Sequence, residues 1–366
     1  MSLRTPEPHS RWSSSARMGG TQARLCRVGA RLWWVVVLAL IFDTSACRRA
    51  KLTQTEKATI TVYGFSILKE PLEKEIFPAF QRDWAEKTGQ EIHFASSFAG
   101  SETVTNQILS GVNADAAILA IERDATRLRV GGATKSEWGE WPHHAIVNRS
   151  PFVILVRKGN PKGIKDFADL ARPGIKLIHP DPVSSGGAQW SLLAIYGSEL
   201  IKSEKATGKR DAAKAEDLLK RVWKNVIATP GSAREARTQF ETGFGDALIT
   251  YEMEALQLSD KSSPYEMVVP RATIFSEHPV VIIDRGMPPE KRALVEVFMN
   301  YLWRESAQKT WVKYHLRAVT DEKLNDKEPR FAKVEMPFTI SELGGWKKAY
   351  PEIIEGIWKQ KLQRMK

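Results

Sequence analysis

A chain of 366 residues, 42% hydrophobic and 9% aromatic, is long enough for about two domains with a sizeable core. It carries 54 basic and 43 acidic residues for a net charge of +11, yet six of the basic and two of the acidic residues lie before residue 47, which leaves +7 for the remainder. Those charges are interspersed, as in Glu204-Lys205 and Lys214-Ala215-Glu216-Asp217, so no basic stripe offers a nucleic-acid surface, and two cysteines, Cys26 and Cys47, cannot supply a disulfide framework.

Residues 1–46 read as an export signal. Arg24, Arg27 and Arg31 precede the apolar run Leu32 to Phe42, which is too short to span a bilayer, and Thr44-Ser45-Ala46 provides small residues for cleavage. Met18 is an alternative start. Cys47 follows directly, in a position resembling the lipid-modified cysteine of bacterial lipoproteins; the alternatives are a membrane anchor at Cys47 or ordinary cleavage that leaves an incidental cysteine. Residues 47–57 form a polar spacer.

Ala58 to Tyr63 alternates as a strand does, Leu68 to Lys87 has apolar residues at helical spacing, and Thr88-Gly89 stops it. Ile92 to Ala95 returns to strand. The small-residue loop Phe98 to Glu102 leads into a helix over Thr103 to Leu109, and Ala114 to Ala120 is a buried apolar run. Strands alternating with helices predict an α/β fold with a largely parallel sheet, where ligands sit at the carboxyl ends of the strands. Trp138 to Ser150 breaks the pattern and is expected to cross between lobes. Phe152 to Arg157 is a new strand, Ile164 to Leu170 a short helix, and Ile175 to Ile178 a strand feeding His179-Pro180-Asp181-Pro182-Val183-Ser184-Ser185-Gly186-Gly187-Ala188-Gln189-Trp190.

That loop has the chemistry of an anion cradle. Two glycines allow close backbone approach, and the first turn of the following helix presents N–H groups without intrahelical partners, at the positive end of the macrodipole. The same string is also an ordinary turn and N-cap. Ala212 to Trp223 is an amphipathic helix. A third loop of this kind, Thr229-Pro230-Gly231-Ser232-Ala233, joins a strand at Val226 to Ala228 to a helix at Ala233 to Thr242. Ala247 to Thr250 is a strand, and Tyr251 to Glu254 is expected to be the return crossing. Beyond it, Tyr265 to Val269 and Val280 to Ile283 read as strands, and Arg292 to Trp303 and Ser306 to Tyr314 as paired helices. One lobe then comprises 58–150 with 255–366, the other 151–254.

Other chemistries fare worse. Ser185 with His179 as base would make a serine hydrolase, but no Gly-x-Ser-x-Gly elbow is present. His143-His144 has no ligand set around it for a metal, because adjacent side chains diverge, and it reads as a polar linker. Trp84, Trp223 and Trp303 lie on apolar helix faces and are expected in the core. Glu252 and Glu254 would repel an anion and read as scaffold.

Taken together, the residues resemble the periplasmic sulfate-binding proteins, substrate carriers of ABC importers, over most of the chain after the signal. The landmarks are Ala99-Gly100-Ser101, Phe152 to Pro161, Pro180-Asp181-Pro182 with Ser184 to Ala188, Gly243 to Ile249, Glu252, Glu254-Ala255-Leu256, Phe338-Thr339-Ile340 and Gly344-Gly345-Trp346. The resemblance implies the two-lobed α/β fold of type II periplasmic binding proteins, with the ligand in the cleft between the lobes. It implies a monomer that is not an enzyme, holds no metal or cofactor, and hands sulfate to a membrane permease. It further implies that sulfate is held by Ser101, by Ser185 with the N–H groups of Gly186 and Gly187, by an N–H in the Ser232-Ala233 turn, and near Ser66.

Two departures stand out. Ser66-Ile67-Leu68-Lys69 replaces an Asp-Pro-Thr-Arg-like string, and Tyr251 stands where the family uses a tryptophan indole N–H. A phenol donates from a different position and also accepts. Sulfate, a dianion without a proton near neutral pH, suits a site made only of donors, which rejects protonated phosphate. Because Tyr251 sits where selectivity is set, thiosulfate, molybdate, tungstate and phosphate stand as alternatives.

Overall fold

The computed structural model describes residues 58–258 and 262–365. The chain divides into two units, 1–56 and 57–366, and the architecture here is that of the second. The expected export signal over 1–46, the Met18 start, Cys47 and the spacer 47–57 lie outside the described residues.

The first strand, β1 (Ala58–Phe65), buries Ile60, Val62 and Phe65. A helical stretch follows, but not as one regular helix. A 3-10 turn (Ser66–Leu68), a short α segment (Lys69–Pro71) and a π segment (Leu72–Ile76) precede α1 (Phe77–Thr88), because Pro71 and Pro78 each remove a backbone donor. Gly89, at φ 70, ends α1 in the left-handed region. Then come β2 (Ile92–Ala99), α2 (Ser101–Leu109), β3 (Ala116–Ile118) and α3 (Glu122–Val130). Both β2 and β3 pair in parallel with β1.

The long strand β4 (Ile146–Arg157) opens the second half. It is followed by β5 (Leu177–Ile178), α4 (Gly186–Thr207), α5 (Ala212–Lys224), β6 (Val226–Ala228), α6 (Ala233–Glu241) and β7 (Ala247–Tyr251). After α7 (Glu252–Leu258) and β8 (Tyr265–Val268), β9 (Ala272–Ile282) runs antiparallel to β4, with Pro151 opposite Phe275. Helices α8 (Pro289–Tyr301) and α9 (Glu305–Lys313), strand β10 (Met336–Phe338) and the helical segments Trp346–Ala349 and Tyr350–Leu362 complete the chain.

Sheet order is β2-β1-β3-β9-β4-β7-β5-β6. The two long central strands each serve both halves. The end of β9 pairs with β3 (Ile282 opposite Ala116), and the end of β4 pairs with β7 (Phe152 opposite Tyr251) and with β8. The return passage is therefore β9. At the expected position, Tyr251 closes β7 and a helix begins at Glu252. Helix α3 and the C-terminal helical segments carry no forecast from sequence. In α3 only Asp124, Ala125 and Leu128 are buried, so its apolar face is too slight to read.

Trp223 and Trp303 are buried as expected, while Trp84 packs half-buried against the core. The C-terminal segment is fastened by aromatic pairs, Trp346 against Trp190 and Trp358 against Trp223, both edge to face. His143 and His144 occupy a turn at φ 52 and 55.

Candidate anion-binding site

Strands β1, β2, β5 and β6 all end in turns that start helices, and these turns meet. A Cβ placed on Gly100 would lie 2.3 Å from Ser184 O and 2.7 Å from Gly231 O, so the turns before α2, α4 and α6 touch backbone to backbone. Ser184 Oγ donates to Gly231 O at 2.7 Å. A Cβ on Gly186 would stand 2.8 Å from Ala120 Cβ and 3.2 Å from Ser101 Cβ, and one on Gly187 would stand 2.8 Å from the Tyr251 hydroxyl oxygen. The turn beginning at Ser66 packs on α6. The residues expected at the site, Ser66, Ser101, Ser185, Gly186, Gly187, Ser232, Ala233 and Tyr251, are thus brought from across the chain to neighbouring positions.

Each helix start offers N–H groups that precede the first intrahelical acceptor. Helix α4 starts with glycine at its first two positions and has no acidic residue in its first turn. Ser185 caps it, its Oγ accepting the Ala188 N–H at 3.3 Å, which leaves the hydroxyl hydrogen free to donate elsewhere. At α6 the situation differs. Ser232 Oγ accepts the Glu235 N–H at 3.2 Å and donates to Glu235 Oε1 at 3.1 Å, while Glu235 Oε2 accepts the Gly231 N–H at 3.1 Å. The Ser232 hydroxyl is committed, and Ala233 is the first helical residue. Ser101 is also engaged: it donates to Asp124 Oδ2 at 2.6 Å and accepts the Ala120 N–H at 3.0 Å.

Tyr251 is fully buried. Phe152, His278 and Phe65 pack round its ring at centroid distances of 4.6, 5.5 and 6.0 Å. Its hydroxyl has no hydrogen-bond partner among the described residues. Burial, reinforced by the nearby Glu254 charge, pushes the phenol well above its usual range, so it remains a neutral donor.

Sequence reading missed the groups that bind these turns together. Arg234, directly after Ala233, makes a bidentate pair with Glu70 at 2.5 and 2.9 Å and reaches Glu254 at 2.8 and 3.0 Å. One guanidinium thereby joins the segments that carry Ser66, Ala233 and Tyr251. Gln189 Nε2 donates to Glu102 Oε1 at 2.9 Å, and Trp190 Nε1 to Ala120 O at 2.6 Å, tying α4 to the first half. Glu252, the other suspected scaffold carboxylate, pairs with Arg317 at 2.8 and 2.9 Å. The Ser185–His179 pair of a hydrolase does not form. Both ring nitrogens of His179 are occupied, Nδ1 against Pro180 O at 2.6 Å and Nε2 against Ser191 Oγ.

A meeting of helix starts rich in N–H donors, between halves joined by two long central strands, defines an α/β binding protein with two lobes. The sequence agrees: the family model described as bacterial extracellular solute-binding protein matches residues 60–317, and this chain belongs to that family. It is 34% identical over 280 residues to the sulfate-binding protein of Escherichia coli, covering 75% of this chain and 83% of that one. It is 32% identical over 289 residues to the thiosulfate-binding protein of the same organism, covering 76% and 82%. Among solved structures, the sulfate-binding protein SubI from Mycobacterium tuberculosis superposes with a TM-score of 0.72 at 30% identity, over 81% of this chain and 99% of that one.

Proposed function

We propose that this chain captures sulfate outside the cytoplasm and delivers it to the permease of an ABC importer, acting as a carrier and not as an enzyme. The observation that carries this reading is the buried Tyr251 hydroxyl, without a partner, beside Gly187 at the start of α4. A buried polar group left unpaired is costly, and an anion cradled by the helix starts would satisfy it. In this reading the donors are the N–H groups of Gly186, Gly187 and Ala233, the hydroxyls of Ser185 and Tyr251, Ser101, and the backbone near Ser66. The names of the relatives support the ligand class.

Thiosulfate is the second reading. It is favoured by Tyr251, whose phenol offers a donor in a different place from an indole. Calorimetric titration with sulfate, thiosulfate, molybdate, tungstate and phosphate tests both. Tight binding of sulfate or thiosulfate with phosphate rejected is expected, and preferential binding of phosphate would overturn the proposal.

We assign the lobes as 58–150 with 255–366 and 151–254. Two pieces of 255–366 are exceptions to that division: strand β8, paired to β4 at Ile154 to Arg157, and the C-terminal segment, packed on Trp190 and Trp223, would travel with the second lobe. Export by residues 1–46, attachment through Cys47 and a monomeric state belong to the same proposal. Labelling with a fatty-acid analogue, lost in Cys47→Ser, tests the anchor.

A further inference from the structure

Tyr251 is flanked by a histidine from a strand that serves both halves. His278 of β9 is completely buried, its ring 4.7 Å from that of Phe65 and 5.5 Å from that of Tyr251, edge-on to the phenol at 69°. It therefore touches the ring that directly precedes Ser66 as well as Tyr251 itself. Its Nδ1 meets Asn148 Oδ1 at 2.6 Å, and Asn148, also completely buried, stands directly opposite it in β4. Further along the same two strands the ties run from side chain to backbone: Ser276 Oγ donates to Ser150 O and Thr273 Oγ1 to Phe152 O, each at 2.7 Å. Phe152 in turn lies opposite Tyr251 across β4 and β7.

Burial pushes the imidazole down to about 3, so it is neutral and carries one hydrogen. The Asn148 oxygen only accepts, which places that hydrogen on Nδ1. The pair is more polar than packing requires. An apolar side chain could fill the space between Phe65 and Tyr251, whereas His278 Nε2 and Asn148 Nδ2 have no hydrogen-bond partner among the described residues, a costly arrangement in a core. What the pair supplies is a fixed ring. Phe65 and Phe152 have no polar atom to hold them, while His278 is bonded to the neighbouring strand and cannot turn or slide as a leucine could.

We propose that His278, held by Asn148, is a positioning residue of the anion site, keeping the Tyr251 phenol where its hydroxyl meets the anion beside Gly187. The proposal rests on the anion-binding reading, in which Tyr251 is a donor. A hydrogen bond weakens steeply as its donor leaves the line to the acceptor, so a small movement of the ring is felt as a loss of affinity.

The test is a double-mutant cycle, read by calorimetric titration of the whole protein with sodium sulfate and with sodium thiosulfate. Tyr251→Phe is expected to weaken sulfate binding about tenfold. His278→Leu, which fills the space but cannot bond to Asn148, should weaken it by about the same factor, and the double variant should lose little more, because a displaced phenol has already lost its bond. Asn148→Ala, which keeps the imidazole and removes its tie, should behave as His278→Leu does, and it serves if that variant does not fold. His278→Asn, whose amide can still donate to Asn148 Oδ1, should recover part of the loss. The ratio of sulfate to thiosulfate affinity should shift in His278→Leu in the same direction as in Tyr251→Phe, which a general loosening of the fold would not produce. Independent losses that multiply to about a hundredfold in the double variant overturn the positioning role and leave the carrier reading intact. Sulfate affinity unchanged in Tyr251→Phe, or in both His278→Leu and Asn148→Ala, does the same. Failure of the native protein to bind either anion overturns the carrier reading and the positioning role with it.

Discussion

The Tyr251 hydroxyl oxygen lies 2.8 Å from the point where a Cβ on Gly187 would stand, so the first turn of α4 is glycine where the end of β7 presses against it. The contact explains why a strand end far along the chain and a helix start belong to one site. It also makes each residue a probe of the other.

Tyr251→Phe removes a buried hydroxyl that has no hydrogen-bond partner among the described residues. The variant should be as stable as the native protein or more stable by about 1 kcal/mol, yet bind sulfate about tenfold more weakly or worse, since a hydrogen bond to a charged group contributes about 1.5–3 kcal/mol. Thermal unfolding and calorimetry on the same samples check both signs. A parallel loss of stability and affinity would mean that the hydroxyl has a structural role.

Gly187→Ala should do the opposite to stability. Its methyl group would meet the Tyr251 oxygen at 2.8 Å and the ring at 3.0 Å, and a fully buried tyrosine has little room to retreat. Overpacking of this kind costs about 1–3 kcal/mol, readable in denaturant unfolding, and the displaced phenol should weaken anion binding as well.

Ser185→Ala deletes both the cap of α4 and a proposed donor. Loss of the cap is expected to cost about 1 kcal/mol of stability, and loss of the donor at least about tenfold in sulfate affinity. Ser185→Gly retains most of the capping energy, so a drop in affinity without a matching drop in stability isolates the donor role.

The pairing of Arg234 with Glu70 predicts a dependence on pH. Burial alone would raise the Glu70 pKa, but the hydrogen bond and charge of Arg234 outweigh it and hold the carboxyl below its ordinary value of 4.5. A depressed acid stabilises the folded form fully above that ordinary value, and the contribution is lost as pH falls through the lower folded value. Tryptophan fluorescence during unfolding, followed from neutral to acid pH, should show this slope reduced in Glu70→Gln. Release of bound sulfate from that variant should also be faster at neutral pH, as measured by stopped flow, because the two halves lose a charged contact.

Much of this was legible in the chain. The alternation of strands and helices, the small-residue turns before α2, α4 and α6, and the capping serines Ser185 and Ser232 are local features, set by residues adjacent in sequence. The long apolar runs announced buried strands for the same reason. Helix α3 is not legible in the sequence because its buried face includes Asp124, a charged residue that pattern reading assigns to the surface. Local pattern points to Tyr251–Glu254 for the return, whereas β9 makes it, because strand pairing, not strand propensity, decides which segment bridges the halves.

The sequence by itself determined which turns could present N–H donors to an anion, since that depends on glycine, serine and helix starts within a few residues. Only the tertiary structure decided that those turns meet, that the Tyr251 hydroxyl faces Gly187, and that the Ser101 hydroxyl is already bound to Asp124. Those facts follow from parallel pairing and packing between residues far apart in the chain, which no local pattern encodes.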